Sequence, residues 1–381
     1  MSDAPVRERV NPRRAEPVRP LYKSRWPWKD RSGRFSAMKA TMLVAAILPG
    51  AWLAVAWATH MLGPRAATEV IHGTGQWAVR FLLLSLLVSP ARAIVNWHRL
   101  MLLRRQIGLT ALAYAVAHLV LYACSENWRM LHVVSEIALR FYLTIGFVAL
   151  LGLAVLGVTS TDGMLRRLGH RWKQLHRLVY PLAVLAIFHF FLQSKAEVGE
   201  ATLMAGMFLW LMGWRLLPAG PDRQPLPILG LGVLSALVTA GVEYAWFGLA
   251  THIAPSKPVL AELNVTYGPH PAVQVLLLGV GLAIAAGLFW AQHRERLRQT
   301  LVFDIALYAG GALIATCLAC AFSLTDDVLP DDWSFWPTAA WFVAGAGVLG
   351  VARWWLPRRR LALDVVCAVC LAGPLVWGLA F

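Results

Sequence analysis

The chain has 381 residues, of which 58% are hydrophobic and 14% are charged, and its formal net charge is +15. A soluble globular domain carries about 25% charged residues, so this composition excludes one large soluble domain. The mean hydropathy is +0.58, and the few charges lie between apolar runs of roughly 20 residues, the length that crosses the hydrocarbon core of a bilayer. The composition therefore indicates a membrane protein.

The first 39 residues are rich in arginine, lysine and proline, and we expect a disordered basic tail. Eleven apolar runs follow, which predict an all-α polytopic membrane protein with about 11 transmembrane helices. They are centred on about 40–60, 76–95, 107–124, 141–159, 174–193, 201–217, 226–249, 271–291, 301–323, 335–352 and 361–380.

A segment rich in proline and glycine, 218–225, separates the first six predicted helices from the last five. We interpret it as a linker between a first bundle, 40–217, and an additional bundle, 226–381. The second bundle has no histidine in any predicted span, and the sequence indicates no role for it. Its two cysteine pairs, Cys317 with Cys320 and Cys367 with Cys370, are expected to be small apolar residues rather than metal ligands.

The basic residues test this topology. With the tail in the cytoplasm and the spans alternating, 29 Lys and Arg residues lie on the cytoplasmic side and five on the other, with Arg80 inside a span. Cytoplasmic loops of membrane proteins carry such an excess. The sequence therefore predicts a cytoplasmic N-terminus and a C-terminus on the opposite side. Because orientation explains the positive charge, nucleic acid is not an expected partner.

Three of the eleven histidines are predicted to lie inside spans, His118 in the third and His176 and His189 in the fifth. His118 comes 13 residues after Arg105, at the cytoplasmic end of its span, and His189 comes 12 residues after Arg177. At about 1.5 Å per residue, both lie about 18–20 Å into the membrane. Two imidazoles at one depth can bind an iron from opposite faces, which gives a bis-histidine haem suited to electron transfer. The alternative is a pair of histidines that merely hydrogen-bond between helices.

His176 is harder to interpret. It lies 13 residues before His189, a spacing that turns an ideal helix through about 220°, so one groove holds both imidazoles only if the helix is distorted. Pro181 between them predicts such a distortion. Three interpretations remain open: a ligand of a second haem, a residue of a flavin site, or a capping residue at the helix entry.

Three further residues are candidates for the cofactor site. Arg80 and Arg140, near the outer ends of the second and fourth spans, are placed to bind haem propionates, the alternative being lipid phosphates. Tyr114 lies four residues before His118 on the same helical face, and Tyr122 four residues after it. This face predicts a polar, aromatic wall beside the cofactor.

A series of motifs runs through residues 40–217. In order they are Arg104-Arg105-Gln106-Ile107-Gly108-Leu109, Tyr114-Ala115-Val116-Ala117-His118, Arg140-Phe141-Tyr142-Leu143-Thr144-Ile145-Gly146, Thr159-Ser160, Arg167-Leu168-Gly169, Trp172, Leu175-His176-Arg177-Leu178-Val179-Tyr180, and His189-Phe190 with Lys195. The series resembles the MsrQ (YedZ) family of haem-binding membrane subunits, which have ferric-reductase-like transmembrane domains.

The resemblance implies a six-helix haem-binding bundle in the bacterial inner membrane, with one or two b-type haems and FMN as a further cofactor. The family's three histidines fall on His118, His176 and His189. The resemblance also implies that electrons pass to a periplasmic molybdopterin subunit that reduces methionine sulfoxide. The chain differs from the family pattern in its five added helices and its long basic tail.

The electron donor is expected to be a separate molecule. The sequence has neither a GxGxxG motif after a strand nor a P-loop, so no NAD(P)H-binding domain of its own is predicted. Electrons are then expected from a cytoplasmic flavin reductase or from quinol in the lipid bilayer. Two alternatives remain: direct reduction of ferric or other metal ions at the outer face, and a transporter or scaffold without a redox role.

Overall fold

The computed structural model describes residues 26–29, 33, 35–95, 98–194, 198–217, 225–251, 254–257 and 270–295. Within these ranges the chain forms eleven α-helices and no strand beyond a single isolated bridge. The helices are α1 (Ala37–Ala58), α2 (Ala66–Val95), α3 (Met101–Ser125), α4 (Met130–Leu139), α5 (Phe141–Val158), α6 (Asp162–Leu168), α7 (His170–His176), α8 (Val179–Ser194), α9 (Gly199–Leu216), α10 (Pro225–Ala250) and α11 (Pro271–Glu295).

Six helical segments of the described residues are long and apolar enough to cross a membrane. They are Met38–Ala58, Gly63–Ile94, His98–Ser125, Phe141–Val158, His170–Ser194 and Pro225–Ala250. These segments confirm the predicted class, a polytopic all-α membrane protein. The predicted sixth and eighth spans correspond to α9 and α11. The spans predicted over 301–323, 335–352 and 361–380, and the two cysteine pairs, lie outside the described residues.

α2 is the central helix of the bundle. It packs against α1, α3, α8, α9 and α11, and its side chains Phe81, Leu82, Leu83 and Leu86 are no more than 3% exposed. A helix surrounded by other helices has apolar residues on all sides. Its position explains why the longest helix of the described chain is also the most buried of the candidate spans.

The fifth predicted span is two helices, α7 and α8, with a break at Arg177 and Leu178. Pro181 has no N–H to donate to the Arg177 carbonyl, and its ring clashes with that carbonyl in a continuous helix. The Arg177 carbonyl instead accepts from Tyr180 N at 3.1 Å, and Leu178 N donates to the Leu175 carbonyl at 3.0 Å. The distortion predicted from Pro181 is therefore observed, as a short stretch of tighter turns.

α4 is a helix that the sequence analysis did not predict. It lies in the connection between α3 and α5, with Val133 buried and Leu131 90% exposed. Arg140, in extended conformation, separates it from α5. We call this end of the bundle the α4 end, and the end that carries α6 and α7 the α6–α7 end.

α10 and α11 pack on α9 and extend the same hydrophobic core. A Cβ on Gly206 of α9 would lie 2.3 Å from Oγ1 of Thr239 in α10 and 2.6 Å from Val275 in α11. A Cβ on Gly232 of α10 would lie 2.9 Å from the Cα of Gly279 in α11. Glycine therefore permits close helix packing at both contacts, as is common between membrane helices. The division into two bundles stays a prediction, but these two helices share their core with the first.

Candidate functional site

Two imidazoles meet inside the bundle. The rings of His118 on α3 and His189 on α8 have centroids 6.4 Å apart and planes inclined at 78°. The Nδ1 atom of His118 lies 2.7 Å from the carbonyl oxygen of Ile71, and that of His189 lies 2.8 Å from the carbonyl oxygen of Tyr142. A carbonyl oxygen only accepts, so each Nδ1 carries the ring proton and each Nε2 keeps its lone pair. Metal-binding histidines are oriented in this way.

The spacing of the two rings fits one metal between them. A metal–imidazole bond is about 2.0 Å long and the ring centre lies about 1.1 Å behind the ligating nitrogen, so two imidazoles on opposite sides of one metal have centroids about 6.2 Å apart. The observed separation is 6.4 Å. His118 and His189, predicted at one depth, are thus spaced as bis-histidine ligation of a haem requires.

A glycine lies beside each imidazole. A Cβ on Gly75 of α2 would lie 3.0 Å from Nδ1 of His118, and a Cβ on Gly146 of α5 would lie 2.8 Å from Nδ1 of His189. Both distances are shorter than a normal contact of a Cβ atom. Glycine therefore lets α2 and α5 approach the rings closely enough for their carbonyl groups to accept from Nδ1.

The two halves of this site have the same construction. The first consists of α2 and α3, and the second of α5 and α8. Six pairs of residues that line the cavity, one residue of each pair in either half, are separated by the same 71 positions in the chain. The pairs are Ile71 and Tyr142, Gly75 and Gly146, Ala78 and Ala149, Leu82 and Leu153, Ala115 and Ala186, and His118 and His189. Two equivalent helix pairs thus line one cavity.

The cavity has a volume of about 1180 Å³. Pockets for small molecules and cofactors measure about 300–1,000 Å³, so a tetrapyrrole has sufficient room. The walls next to the imidazoles are apolar, whereas ionisable residues line the cavity towards the α4 end. These are Glu69, His72, Glu126, His132, Glu136, Arg140 and Glu200. An apolar interior with a polar rim suits a macrocycle that carries two charged propionates.

Arg140 lies at this rim, near the α4 end. Its Nη1 donates to the hydroxyl of Tyr142 at 3.2 Å, and its Nε pairs with Glu136. The hydrogen bond to Tyr142, together with the charges of Tyr142 and Glu136, raises the pKa of Arg140, which therefore stays positively charged. Its predicted contact with a propionate stays a prediction, and its place in the cavity wall supports it.

Arg80 lies behind the cavity wall, and its predicted contact with a propionate stays a prediction. Its side chain is 3% exposed, lies 2.5 Å from Oε1 of Glu200 and covers the ring of Trp77 at 5.0 Å from the centroid. Glu200 lines the cavity and Arg80 does not. Burial also excludes the alternative of a lipid phosphate as its partner. Arg80 therefore contacts the cavity wall through Glu200.

Tyr114 contacts α1, and its predicted place beside the cofactor stays a prediction. Its hydroxyl donates to the Ala46 carbonyl at 2.8 Å and accepts from Gly50 N at 2.7 Å. These two groups are hydrogen-bond partners in a regular helix, and Pro49 beside them disturbs α1. Tyr114 is not among the residues that line the cavity. It joins α3 to α1, whereas Tyr122, on the same face of α3, lines the cavity.

His176 lies apart from this cavity, towards the α6–α7 end. Its Nε2 is 3.2 Å from Oγ1 of Thr159, and its ring stacks on Trp172 with centroids 3.9 Å apart. The indole Nε1 of Trp172 donates to the carbonyl of Thr159 at 2.9 Å. His176 is therefore held by side chains of the α5–α7 contact. The structure does not bring it to the His118–His189 pair.

Four features of the site were not predicted from the sequence: the two glycines, the two carbonyl acceptors, Glu200 and His72. A signal existed for the glycines, because Gly75 and Gly146 each precede a membrane histidine by the same number of residues. Glu200 had no such signal, since its partner Arg80 is 120 residues away in the chain.

Fold and site together define a class: a multi-pass helical membrane protein in which two imidazoles are spaced for one metal centre. Residues 74–187 match the family described as ferric reductase like transmembrane component. The chain is similar to the protein-methionine-sulfoxide reductase heme-binding subunit MsrQ of Rhodospirillum rubrum, with 39% identity over 200 residues, 51% of this chain and 93% of that protein. The MsrQ protein of Xanthomonas euvesicatoria is 37% identical over 189 residues, 47% of this chain and 86% of its own length.

No solved structure matches the chain. Because the chain covers nearly the whole of these relatives at more than a third identity, it belongs to the MsrQ family.

Proposed function

We propose that the chain is a b-type haem subunit that carries electrons across the bacterial inner membrane to a periplasmic molybdopterin enzyme that reduces methionine sulfoxide. The observation that carries the proposal is the pair of His118 and His189, spaced for one iron and hydrogen-bonded through both Nδ1 atoms. The names of the relatives, heme-binding subunits of a protein-methionine-sulfoxide reductase, support the same class of partner.

The residues of the cavity have different roles in binding the haem. A haem bound there supplies a one-electron carrier with no open coordination position for a substrate. His118 and His189 would hold it through Nε2, and the apolar residues around them would exclude water. Arg140 is the cation placed for a propionate. With His118 and His189 both used to hold the haem, the acceptor would receive electrons without binding the metal itself.

The distribution of basic residues supports the proposed direction of electron transfer. The 29-to-5 distribution of Lys and Arg supports a cytoplasmic N-terminus and a periplasmic C-terminus. The α4 end, where ionisable residues line the cavity, then faces the periplasm and the acceptor. The α6–α7 end faces the cytoplasm, with a flavin reductase or membrane quinol as the donor.

The α6–α7 end is also where a second cofactor would bind. Exposed cations surround His176 there: Arg166, Arg167, Arg171, Lys173 and Arg177. A positively charged face suits an FMN phosphate or an acidic donor protein. His176 is the residue on which FMN or a second haem depends, whereas the first haem depends on His118 and His189.

A second candidate function, direct reduction of ferric or other metal ions, has one observation in its favour. Four carboxylates line the cavity together with His118 and His189, those of Glu69, Glu126, Glu136 and Glu200. Carboxylates attract cations, and a metal ion drawn into the cavity would receive electrons without a partner protein, although no cluster of three or more ligand residues in the described part of the chain is placed to hold the ion.

Reoxidation of the reduced protein tests both functions. We would reduce the purified protein in proteoliposomes and follow its haem absorbance after adding methionine sulfoxide with or without the periplasmic reductase, or ferric citrate alone. The proposed function predicts reoxidation by methionine sulfoxide only when the reductase is present. The same fast rate with ferric citrate alone would favour metal reduction.

Two variants control this experiment. His118→Ala is expected to abolish reoxidation by either acceptor, because it removes one side of the imidazole pair. His170→Ala alters an exposed histidine on α7 and is expected to behave like the wild type. A wild-type protein without haem would contradict both functions and leave the transporter or scaffold.

A further inference from the structure

We propose that Gly75 and Gly146 are positioning residues that keep the two haem ligands nearly perpendicular to each other, and that this angle sets the spectroscopic state of the haem. The proposal rests on the proposed function, because it requires a haem between His118 and His189. It adds a role for two residues that bear no functional group.

The orientation of each ring is set by two points. A bond from iron to Nε2 alone leaves an imidazole free to turn about that bond. A second bond, from Nδ1 to a fixed acceptor, stops the rotation. The acceptors are main-chain carbonyls of Ile71 and Tyr142 at 2.7 and 2.8 Å, which are good hydrogen-bond distances. The helix backbone therefore fixes both ring planes, at 78° to each other.

The glycines make these two acceptors accessible. In an α-helix the carbonyl of one residue points towards the N–H of the residue four positions later. The carbonyl oxygen has a second lone pair, which can accept from another donor such as an imidazole. That donor must pass close to the residue four positions later. Gly75 follows Ile71 by four positions, and Gly146 follows Tyr142 by four. Glycine thus stands where a side chain would block the approach of the imidazole.

The contact distances support this role. A Cβ on Gly75 would lie 3.0 and 3.1 Å from Nδ1 and Cε1 of His118, and one on Gly146 would lie 2.8 and 2.9 Å from the same atoms of His189. An alanine at either position therefore pushes the ring away from its carbonyl. The same arrangement occurs in both halves of the site, which identifies it as a repeated feature of the construction and not an accident of one helix contact.

The angle between ligand planes has a measurable consequence. Two iron d orbitals can interact with the π electrons of the imidazoles. Coplanar imidazoles both interact with the same one of these orbitals, so the two orbitals differ in energy. Perpendicular imidazoles raise both orbitals equally and leave them close in energy. The oxidised low-spin iron then gives a strongly anisotropic EPR signal with a large maximal g value, whereas coplanar ligands give a rhombic signal. The hydrogen bonds also make the ligands more basic and stabilise the oxidised iron, which lowers the reduction potential.

The first test is the low-temperature EPR spectrum of the oxidised wild-type protein. We expect the strongly anisotropic low-spin signal. A rhombic low-spin signal would overturn the proposal while leaving the bis-histidine haem intact. A protein without haem would instead contradict the proposed function, so the two failures are distinguishable.

The second test compares Gly75→Ala and Gly146→Ala with Gly108→Ala, a glycine of α3 beside which an added Cβ meets no atom within 4 Å. In the first two variants we expect the EPR signal to move towards the rhombic form and the midpoint potential to rise. Gly108→Ala should match the wild type in both measurements.

The variants have two other outcomes. Wild-type spectra and potentials in both Gly75→Ala and Gly146→Ala would overturn the positioning role. Loss of haem in these two variants, with normal haem in Gly108→Ala, would support the steric role of the glycines, and the wild-type EPR spectrum then decides the angle.

Discussion

The two ends of the bundle use the same kinds of residue in different surroundings. Beside the cavity, the side chain of Arg80 is 3% exposed and pairs with Glu200, whose side chain in the cavity wall is 28% exposed. Towards the α6–α7 end, Arg105 and Asp162 pair at 2.6 Å but are 46% and 45% exposed. A buried pair is costly to break, whereas an exposed pair contributes little. The stability of the fold is therefore expected to depend more on the pair of Arg80 and Glu200 than on the pair of Arg105 and Asp162.

The histidines differ in the same way. His118 and His189 donate to main-chain carbonyls across a helix contact, whereas His176 contacts the side chains of Thr159 and Trp172. A carbonyl within a helix is a fixed acceptor, because the helix cannot turn it without losing other bonds. The paired site is therefore the more rigid of the two, which suits a metal that must not change its geometry between oxidation states.

The largest effect on stability is expected from the ion pairs. Glu200→Ala removes the carboxylate partner of the buried Arg80 guanidinium, and because Glu200 itself is 28% exposed we expect a cost of about 3 kcal/mol, the lower end of the range for a buried pair. Asp162→Ala removes an exposed pair and is expected to cost less than about 1 kcal/mol. Thermal unfolding in detergent measures both. Equal losses in the two variants would show that burial does not distinguish the two ends.

The next largest loss of stability is expected where α9 packs against α10 and α11. Gly206→Ala places a methyl group against Thr239 and Val275, and overpacking of this kind costs about 1–3 kcal/mol. Gly241→Ala, where an added Cβ meets nothing within 4 Å, is the matched control and is expected to be neutral or slightly stabilising. A normal Tm for Gly206→Ala would contradict the shared core of α9, α10 and α11.

A smaller effect is expected from Tyr114→Phe. It removes the hydroxyl between Ala46 and Gly50, at a cost of about 1 kcal/mol, because those two groups can partly satisfy each other. The haem spectrum should not change, since Tyr114 does not line the cavity. Tyr244→Phe, on an exposed tyrosine of α10, is the control for the substitution itself. A changed spectrum in Tyr114→Phe alone would restore its predicted place beside the cofactor.

The smallest effect is expected from Thr159→Val, which removes the hydrogen-bond partner of His176. We expect a loss of about 0.5–1 kcal/mol and an unchanged absorbance of the haem assigned to His118 and His189. An altered haem absorbance would show that His176 takes part in haem ligation. The α6–α7 end would then hold a cofactor as well as the cavity at His118 and His189.

Much of the fold could be predicted from the sequence. Long apolar runs predict membrane helices because the bilayer fixes their length, and the predicted spans agree with helices throughout the described residues. Equal depth also predicted that His118 and His189 meet, since depth depends only on the rise of a helix. The helix α4 escaped prediction because it is too short to cross the membrane.

The finer contacts could not be predicted, for a physical reason. The depth of a residue in the membrane gives its position along its helix, but it does not determine which neighbouring helix the side chain contacts. Arg80 was assigned to a propionate because its depth was right, but its partner Glu200 lies on α9, far away in the sequence. Tyr114 was predicted in the cofactor wall from its position on one face of α3, but that position does not reveal that its hydroxyl contacts Ala46 and Gly50 of α1.

The most direct test of the central claim is the reduced-minus-oxidised absorbance spectrum of the purified protein, with a pyridine haemochrome count. The account predicts a b-type haem in the wild type and in His170→Ala, and its loss in both His118→Ala and His189→Ala. A wild-type protein without haem, or full haem content in both of these variants, would contradict the assignment of the imidazole pair.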